Sequence, residues 1–338
     1  MVRIITVDDI KTLIRKITLE TFFKRLIEKL IENFNHWQEF DKFPRVVSHL
    51  DHGVIELMPI WSKDYYSCKY INGHPQNPKQ NKQTVVGVGL LADIATGYPV
   101  LISEMTLLTA LRTAATSALA SQYLSPKQAK TFAIIGTGAQ AEFQVLAHKV
   151  ILGIEKVKYF DIDPIAMEKF ANNLLSYGLE LEACRDAQSA IANADIITTA
   201  TAAKKQMQIV KNEWVQSGMT INALGGDCHG KTELDPKILT RSKIVVEFIE
   251  QSKVEGEIQN YDASKVYAEL WELTSGKKPG RTNDQDIMIF DSVGFALEDY
   301  TILKLVYSLA EDFHVGHMLD MVPDVKNPKD LFGVLKGG

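Results

Sequence analysis

The amino-acid sequence predicts an α/β protein in which a doubly wound parallel sheet is joined to a second, α+β domain. Two patterns lead to this class: a helix followed by β-rich runs and turns over residues 1–100, and apolar strands alternating with helices after residue 130. The length of 338 residues agrees with two domains, because one domain typically holds ~100–200 residues. We place the α+β domain at 1–120 with 312–338, and the α/β domain at 121–311.

The composition excludes several classes of protein. The chain carries 37 basic and 42 acidic residues and no Lys/Arg block, which argues against nucleic acid or an anionic membrane as a partner. Its three cysteines, Cys68, Cys184 and Cys228, form no CxxC pair, so neither a disulfide framework nor a thiolate zinc site is indicated. The charged N-terminus lacks a signal-peptide pattern. We therefore expect a cytoplasmic protein that holds no metal.

The first part of the chain is expected to form a long helix and an antiparallel sheet. Apolar residues recur at steps of three and four from Thr18 to about Phe40, which is typical of an amphipathic helix. The runs PRVVSHL and VIELMPIW flank DHG and predict a hairpin, and YYSCKYI, TVVGVGLLADI and VLISEM predict further strands. Met105 to Tyr123 is rich in Ala and Leu and predicts a helix that crosses between the domains.

After SPKQAK the pattern changes to alternation. Strands are predicted at TFAIIG, KVKYFDI, ADIITTAT, MTINALGG, KIVVEF and IMIFDS, and helices at AQAEFQVLAHKVIL and PIAMEKFANNLLSYG. Apolar strands interleaved with helices indicate a parallel sheet that is covered on both faces. A last amphipathic helix, Phe295 to His314, is long enough to leave this sheet and pack on the first domain.

One glycine-rich loop carries the pattern of a dinucleotide site. Gly136, Gly138 and Ala141 follow a buried strand directly and open a helix, in the order G-x-G-x-x-G/A. In this context the first glycine allows a tight turn and the second allows a pyrophosphate to approach the backbone. The N–H groups of Ala139 and Gln140 would then face the phosphates at the helix N-terminus. The fold class is therefore a Rossmann-type sheet plus an α+β domain.

The next strand predicts which dinucleotide is bound. Asp161 ends KVKYFD, 25 residues beyond Gly136, where a carboxylate accepts hydrogen bonds from a ribose 2′-OH and repels a 2′-phosphate. We therefore predict NAD rather than NADP. Asp163 could share this role, although its position before Pro164 favours a helix N-cap.

Three cations of the first domain lie in apolar surroundings: Arg45 in a predicted strand, Lys69 between tyrosines, and Arg112 in the Ala-rich helix. Together they could bind an α-carboxylate. For each cation alone, a surface ion pair, or a long side chain whose aliphatic part covers apolar surface, is an equally good explanation. The candidate acids are Glu56 and Asp227, and for Asp227 a plain turn residue is the alternative to a general base. These residues predict an NAD-linked enzyme that acts on a small amino or hydroxy acid.

The length of the hairpin loop decides whether Arg45 and Glu56 can share a site. With a three-residue loop, Asp51 to Gly53, the two side chains would lie on opposite faces, because side chains alternate along a strand. A four-residue loop, Leu50 to Gly53, pairs Val47 with Glu56 and puts Arg45 and Glu56 on one face. We therefore predict the longer loop or a bulge.

Longer motifs are also present: PRVVSH, VIELMP, KYINGHP, TALRTAATSALAS, IGTGAQAEFQ, DIITTATA, NALGGDCHGKTEL, VEGEIQ and FDSVGFALEDY. With these motifs, nearly the whole chain resembles the ornithine cyclodeaminase and mu-crystallin family. NALGGDCHGKTEL and FDSVGFALEDY are much more specific than the glycine pattern. One departure is His229, which stands where the family pattern has proline, and we expect it to be tolerated.

The resemblance implies roles for individual residues. The substrate carboxylate would meet Arg45, Lys69 and Arg112, with Glu56 nearby, Asp227 as the acid/base group, and Val293 in contact through its backbone. The implied cofactor contacts are Thr84, Ala139, Gln140, Asp161, Thr201, Asn222, Ala223, Leu224, Gly225, Lys231 and Ser292, in addition to the loop glycines Gly136 and Gly138.

The resemblance also implies an activity and an assembly. The enzyme would be an ammonia-lyase that converts L-ornithine to L-proline and ammonia, with NAD reduced and reoxidised within each turnover. A second subunit would cover the sheet edges of the first domain, giving a homodimer. The alternatives are an NAD-dependent amino-acid dehydrogenase or ketimine reductase, a lysine cyclodeaminase, and a hormone-binding protein like mu-crystallin. Asp161 and Asp227 argue against the last of these.

Overall fold

A computed structural model describes residues 1–202, 207–226 and 228–336 and contains two eight-stranded sheets. The strands are β1 (Val2–Ile5), β2 (Asp41–Lys42), β3 (Val46–Leu50), β4 (Gly53–Trp61), β5 (Tyr65–Gly73), β6 (Gly87–Asp93), β7 (Pro99–Glu104), β8 (Thr131–Ile135), β9 (Lys156–Phe160), β10 (Glu180–Ala183), β11 (Ile196–Thr199), β12 (Thr220–Ala223), β13 (Ser242–Val246), β14 (Ala268–Glu269), β15 (Ile287–Asp291) and β16 (His317–Leu319). The helices are α1 (Val7–Ile17), α2 (Leu19–Asn35), α3 (Thr106–Leu124), α4 (Ala141–Leu152), α5 (Pro164–Leu174), α6 (Ala187–Ile191), α7 (Pro236–Leu239), α8 (Ile249–Ser252), α9 (Leu270–Thr274) and α10 (Ala296–Asp312).

The first sheet is mainly antiparallel, as the sequence predicts. Its order is β16-β1-β7-β6-β5-β4-β2, and β3 pairs with β4 beside β2. The prediction missed three strands: β1 pairs with β7 in parallel, β16 pairs with β1, and β2 pairs with β4. Each of these strands has four residues or fewer. Strands this short give no readable alternation, so their position depends on long-range pairing.

The hairpin has the predicted register but a shorter loop. Val47 pairs with Glu56, as the four-residue loop requires, so Arg45 and Glu56 can share one face. The same register continues to a Leu50–Gly53 pair, which leaves only Asp51 and His52 between the strands. The prediction of a four-residue loop was therefore wrong in length. Arg45 also precedes β3 rather than lying in the strand.

The second sheet is parallel throughout and confirms the predicted fold class. Its order is β10-β9-β8-β11-β12-β15-β13-β14. The chain adds β9 and β10 on one side of β8 and then continues with β11 on the other side, so the order of strands switches at β8 and β11. Phe132 and Ile134 of β8 pack into one core, while Ala133 and Ile135 pack into another on the opposite face. A ligand site is expected outside the carboxyl ends of β8 and β11, where such sheets change direction.

One apolar core joins the two sheets through the helices. The predicted amphipathic helix is α2, which buries Phe22, Phe23 and Leu30 against α3, α9 and α10. Helix α3 packs on α4 and on the second sheet, and α10 packs back on β4 to β6. This packing explains why α3 and α10 carry apolar residues on all sides: each contacts both halves of the molecule.

The predicted domain limits fall on helices. The limit between 120 and 121 lies inside α3, and that between 311 and 312 lies at the last residue of α10. These limits stay predictions. Among the described residues, no helix is both long enough and apolar enough to cross a bilayer.

Candidate active site

The glycine-rich loop has the geometry of a phosphate cradle. Gly136 has a φ of 97°, and a Cβ there would lie 2.6 Å from the carbonyl oxygen of Ala200 at the end of the neighbouring strand. Gly138 is exposed, and a Cβ there would have no atom within 4 Å. The first glycine is therefore needed for the turn itself, whereas the second leaves open space in front of the loop.

The groups around this open space fit a polar, anionic ligand. Gln140 is the N-cap of the twelve-residue helix α4, whose N-terminus therefore faces the loop. Within the described part of the chain, Gln140 Oε1 and the buried Thr199 Oγ1 at the end of β11 have no hydrogen-bond partner. Buried polar atoms without partners are rare in folded proteins. Gln140 Oε1 and Thr199 Oγ1 could therefore form hydrogen bonds with a dinucleotide that lies along these strand ends with its phosphates at the loop.

Asp161 connects the end of β9 to the glycine loop. Its Oδ2 accepts hydrogen bonds from the Thr137 N–H at 2.6 Å and from Thr137 Oγ1 at 3.2 Å, and its Oδ1 accepts one from the Asp163 N–H at 3.0 Å. Asp163 caps α5 by accepting from the Ile165 N–H at 2.9 Å, in agreement with the N-cap interpretation. Asp161 therefore lies beside the phosphate loop, as its predicted role in ribose binding requires.

The remaining predicted cofactor residues lie at neighbouring strand ends. Asn222 ends β12 with Ala223, and its side chain is buried in a network with Ser121 and His148. The His148 Nδ1 lies 2.7 Å from the Gln144 carbonyl, and burial lowers the pKa of His148 to about 4, so the ring is neutral.

The loops after these strands hold one another in place. Lys231 Nζ donates to the Thr201 carbonyl at 2.8 Å, and Thr201 donates to Glu233. Gly225 follows Leu224 and packs against Glu233 so closely that a Cβ would lie 1.9 Å from the carboxyl group. Thr84 lies in the first domain, where its carbonyl accepts from the His74 N–H at 2.8 Å.

Arg45 is the first of three buried cations, which we call the anion clamp: Arg45, Lys69 and Arg112. Its side chain is 6% exposed, and it forms ion pairs with Glu56 at 2.9 Å and with Glu255 at 3.3 Å. Its Nη2 donates to the carbonyls of Val293 at 2.5 Å and Gly294 at 2.7 Å. The interpretation of Arg45 as a surface ion pair is therefore wrong.

Lys69 and Arg112 are buried side by side. Lys69 Nζ donates to Asp299 Oδ1 at 2.8 Å, and Arg112 Nε lies 3.0 Å from the same oxygen. Arg112 Nη1 donates to Glu298 at 2.6 Å. Burial, reinforced by the nearby Arg112 charge, lowers the pKa of Lys69 to about 8, and Asp299 opposes this shift. Lys69 is therefore mostly charged near neutral pH, although its proton is held less firmly than on an exposed lysine.

The turn after β15 contacts both the anion clamp and the parallel sheet. Residues 292–294 follow β15, and the Ser292 N–H donates to the Ala223 carbonyl of the adjacent strand end at 3.0 Å. Gly294 has a φ of 76°, and a Cβ there would lie 2.4 Å from Arg112 Nη1. Because Arg45 contacts this turn from one element and Arg112 from another, the clamp lies beside the predicted cofactor strands.

Asp227 lies outside the described residues, but the preceding loop does not. The Gly226 carbonyl accepts from the Gly256 N–H at 2.7 Å, and the residue before Gly256 is Glu255, the partner of Arg45. The described part of this loop therefore packs on the segment that contacts the anion clamp.

Sequence reasoning missed the acids that hold the clamp: Glu255, Glu298 and Asp299, and also Glu247. Glu247 is fully buried and accepts hydrogen bonds from Ser292 Oγ at 2.6 Å and from the N–H groups of residues 293 and 294. Their signal was present as acidic residues inside VEGEIQ, VVEF and FALEDY, among apolar neighbours. A buried acid needs a buried donor, so these positions could have been matched to the three cations.

The three cations are already paired with buried acids, and they can give further hydrogen bonds to a small carboxylate next to a dinucleotide. The three cations offer two planar forks and one ammonium within a nearly dry region, where charge-assisted hydrogen bonds are strong. No group of three or more histidine, cysteine, aspartate or glutamate side chains in the described ranges is placed to hold a metal ion.

Comparisons with known proteins agree on one family. Residues 7–313 match the family described as "Ornithine cyclodeaminase/mu-crystallin family". The chain is 48% identical over 335 residues to "Ornithine cyclodeaminase" of Brucella abortus biovar 1 (strain 9-941), covering 99% of this chain and 93% of that protein. A solved archaeal alanine dehydrogenase dimer with bound NAD is 32% identical, with a TM-score of 0.87 over 95% of this chain and 99% of that one. A lysine cyclodeaminase, solved for its recognition of L-lysine, L-ornithine and L-2,4-diaminobutyric acid, is 27% identical, with a TM-score of 0.93 over 98% of each chain.

Two glycine substitutions separate turn geometry from ligand space. Gly136→Ala should destabilise the free protein by about 1–3 kcal/mol, because φ is positive and the methyl meets a backbone oxygen. Gly138→Ala should leave the free protein's melting temperature unchanged but weaken NAD binding at least about tenfold, because its methyl enters the open space. Thermal unfolding without ligand and fluorescence titration with NAD measure the two effects. Unchanged NAD affinity in Gly138→Ala would place the pyrophosphate elsewhere.

Proposed function

This chain belongs to the ornithine cyclodeaminase/mu-crystallin family, and from that premise we propose that it converts L-ornithine to L-proline and ammonia with NAD as a recycled cofactor. The observation that carries the proposal is the buried anion clamp beside the strand ends of the parallel sheet. Identity of 48% over nearly the full length of a named ornithine cyclodeaminase supports the same activity.

In the proposed reaction Arg45, Lys69 and Arg112 hold the α-carboxylate of ornithine. When bound, NAD would supply the redox chemistry, as the acceptor of a hydride from Cα and the donor of a hydride to the cyclic imine. Asp227 accepts a proton from an amino group, because only an uncharged amine can take part in oxidation or attack. The δ-amine attacks the oxidised Cα and closes a five-membered ring, a favoured intramolecular step. The bond from Cα to the α-nitrogen then breaks, and this nitrogen takes up a proton and leaves as ammonia. The low exposure of the clamp supports exclusion of water during this sequence.

The turnover experiment uses L-ornithine with NAD supplied only in an amount equal to the enzyme. We expect proline and ammonia in equal amounts, far exceeding the NAD, with no net rise in NADH absorbance. Steady NADH accumulation with added NAD would instead identify a dehydrogenase, and preference for L-lysine would identify a lysine cyclodeaminase. L-norvaline, which lacks the δ-amine, is the matched control and should give no multiple turnover because its ring cannot close.

Substitution of the proposed base gives a separate prediction. Asp227→Asn should lower kcat by about 100-fold or more, because the proton acceptor is lost while the shape of the side chain is kept. NAD binding, followed by fluorescence titration, should stay near wild type. Undiminished turnover of ornithine by this variant would remove Asp227 from the mechanism.

We also propose that the enzyme works as a homodimer, with the outer face of the first sheet as the contact surface. Directly paired residues form an exposed apolar row across four strands: Val46, Leu57, Tyr70 and Val88, which are 41–59% exposed. A second row beside it is also apolar: Pro59, Cys68, Leu90 and Ile102. A contiguous apolar face of this kind is unusual on a monomer. A two-fold axis would place the face against its own copy, in line with the dimer of the archaeal relative.

A charge in the middle of this face tests the dimer. Leu57→Asp should yield a monomer by sedimentation velocity, because the carboxylate would be buried without a partner. Leu175→Asp, at a position that is 73% exposed away from this sheet, is the control and should leave the mass unchanged. A monomeric wild-type protein, or a dimeric Leu57→Asp variant, would contradict the assigned surface.

The proposed reaction consumes ornithine and forms proline, so its place is in ornithine catabolism and proline biosynthesis. We propose the cytoplasm as its location, since Cys68 and Cys184 form no disulfide among the described residues, which is typical of proteins in a reducing compartment.

A further inference from the structure

We propose that Asp299 is a positioning residue that fixes the spacing of Lys69 and Arg112 and keeps the Lys69 side of the anion clamp positively charged. This inference rests on the proposed function, because it assumes that the clamp binds the substrate carboxylate. Asp299 belongs to the first turn of α10, and no role follows for it from the glycine loop or from the proposed proton transfer.

The geometry of one oxygen atom carries the proposal. Asp299 Oδ1 accepts from Lys69 Nζ at 2.8 Å and lies 3.0 Å from Arg112 Nε. Lys69 is on β5 and Arg112 is on α3, so a single atom of α10 connects a strand and a helix of the first domain. In the described part of the chain, Lys69 Nζ has no acceptor other than Asp299. Without this oxygen, Lys69 would lose its acceptor, and Arg112 would keep Glu298 but lose its link to Lys69.

Asp299 also controls the charge of the clamp. Lys69 and Asp299 are completely buried, and among the described residues the charges that act most strongly on Lys69 are those of Arg112, Arg45 and Asp299. Burial and the Arg112 and Arg45 charges favour the neutral amine, and Asp299 is the group among these that favours the ammonium. Since the α-carboxylate of the substrate needs the ammonium form of Lys69, Asp299 extends substrate binding to higher pH.

The second oxygen of Asp299 makes a sharp experiment possible. Asp299 Oδ2 is buried and, among the described residues, receives no hydrogen bond. In Asp299→Asn the amide nitrogen can take this position while the carbonyl oxygen keeps both contacts. The substitution therefore removes the negative charge and preserves the bridge. Asp312→Asn, at the exposed C-terminal end of the same helix, is the matched control.

The experiment measures kcat and KM for L-ornithine against pH with saturating NAD for wild type and both variants. In Asp299→Asn, the alkaline limb of kcat/KM should move down by at least about one pH unit, which corresponds to about a tenfold loss near pH 9. The loss should appear in KM, with kcat changed less than about threefold, because the clamp holds ground state and transition state alike. Asp312→Asn should follow wild type, and titration of the substrate amines cancels in this comparison.

A uniform loss of kcat/KM at all pH values together with a lower melting temperature would overturn the proposal and leave Asp299 with a structural role only. The pKa of Lys69 itself, followed by NMR of ¹³C-labelled lysine and assigned with Lys69→Met, is a readout that needs no turnover. A lowered Lys69 pKa in Asp299→Asn supports the inference even if ornithine is not the substrate, and an unchanged one refutes it. Absence of ornithine turnover in wild type contradicts the proposed function alone.

Discussion

Three cations are buried where the two sheets meet, and the rest of the structure is arranged so that each has a carboxylate partner. Arg45 directly precedes β3, Lys69 lies on β5 and Arg112 lies on α3, and their partners come from β4, from the segment before Gly256, and from the start of α10. Transfer of an ion from water to a protein interior costs several kcal/mol, and removal of one partner from a buried pair costs about 3–5 kcal/mol. This ion-pair network therefore fixes the relative positions of elements that are far apart in sequence.

Buried ionisable side chains also explain why glycines occupy three of the long motifs. A Cβ at Gly294 would lie 2.4 Å from Arg112, one at Gly256 would lie 2.7 Å from Asp291, and one at Gly225 would overlap Glu233. In each case the backbone packs directly against a buried ionisable side chain, and a methyl group would displace it. FDSVGFALEDY, VEGEIQ and NALGG are thus parts of one packed unit, although they are separate stretches of the sequence.

Strand β5 shows how one element can serve two purposes. Its side chains alternate, so Lys69 points into the ion-pair network while Tyr70 lies on the exposed apolar face. Helix α10 packs on the inner side of this sheet and supplies Asp299 to Lys69. The proposed dimer face and the anion clamp are therefore opposite surfaces of the same strands. A shift of register by one residue would exchange them.

Local patterns in the sequence determined the two kinds of sheet, the long helices and the glycine loop. The alternation of apolar strands and helices specifies a parallel sheet, and the spacing of Gly136, Gly138 and Asp161 predicts a dinucleotide site, because these features depend on residues close in sequence. The sequence also predicted the register that pairs Val47 with Glu56, since period two leaves few choices.

Only the tertiary structure decided which residues hold the clamp. Glu298 and Asp299 lie 186 and 230 residues from the cations they bind, and no local rule pairs side chains over such separations. The tertiary structure likewise determined the positions of β1 and β16, which are too short to be recognised as strands from their sequence pattern. The sequence determined this protein's helices and strands because they follow from local periodicity. The tertiary structure determined the ion-pair partners, because a buried charge needs an opposite charge beside it and only the packing of distant elements sets which residue that is.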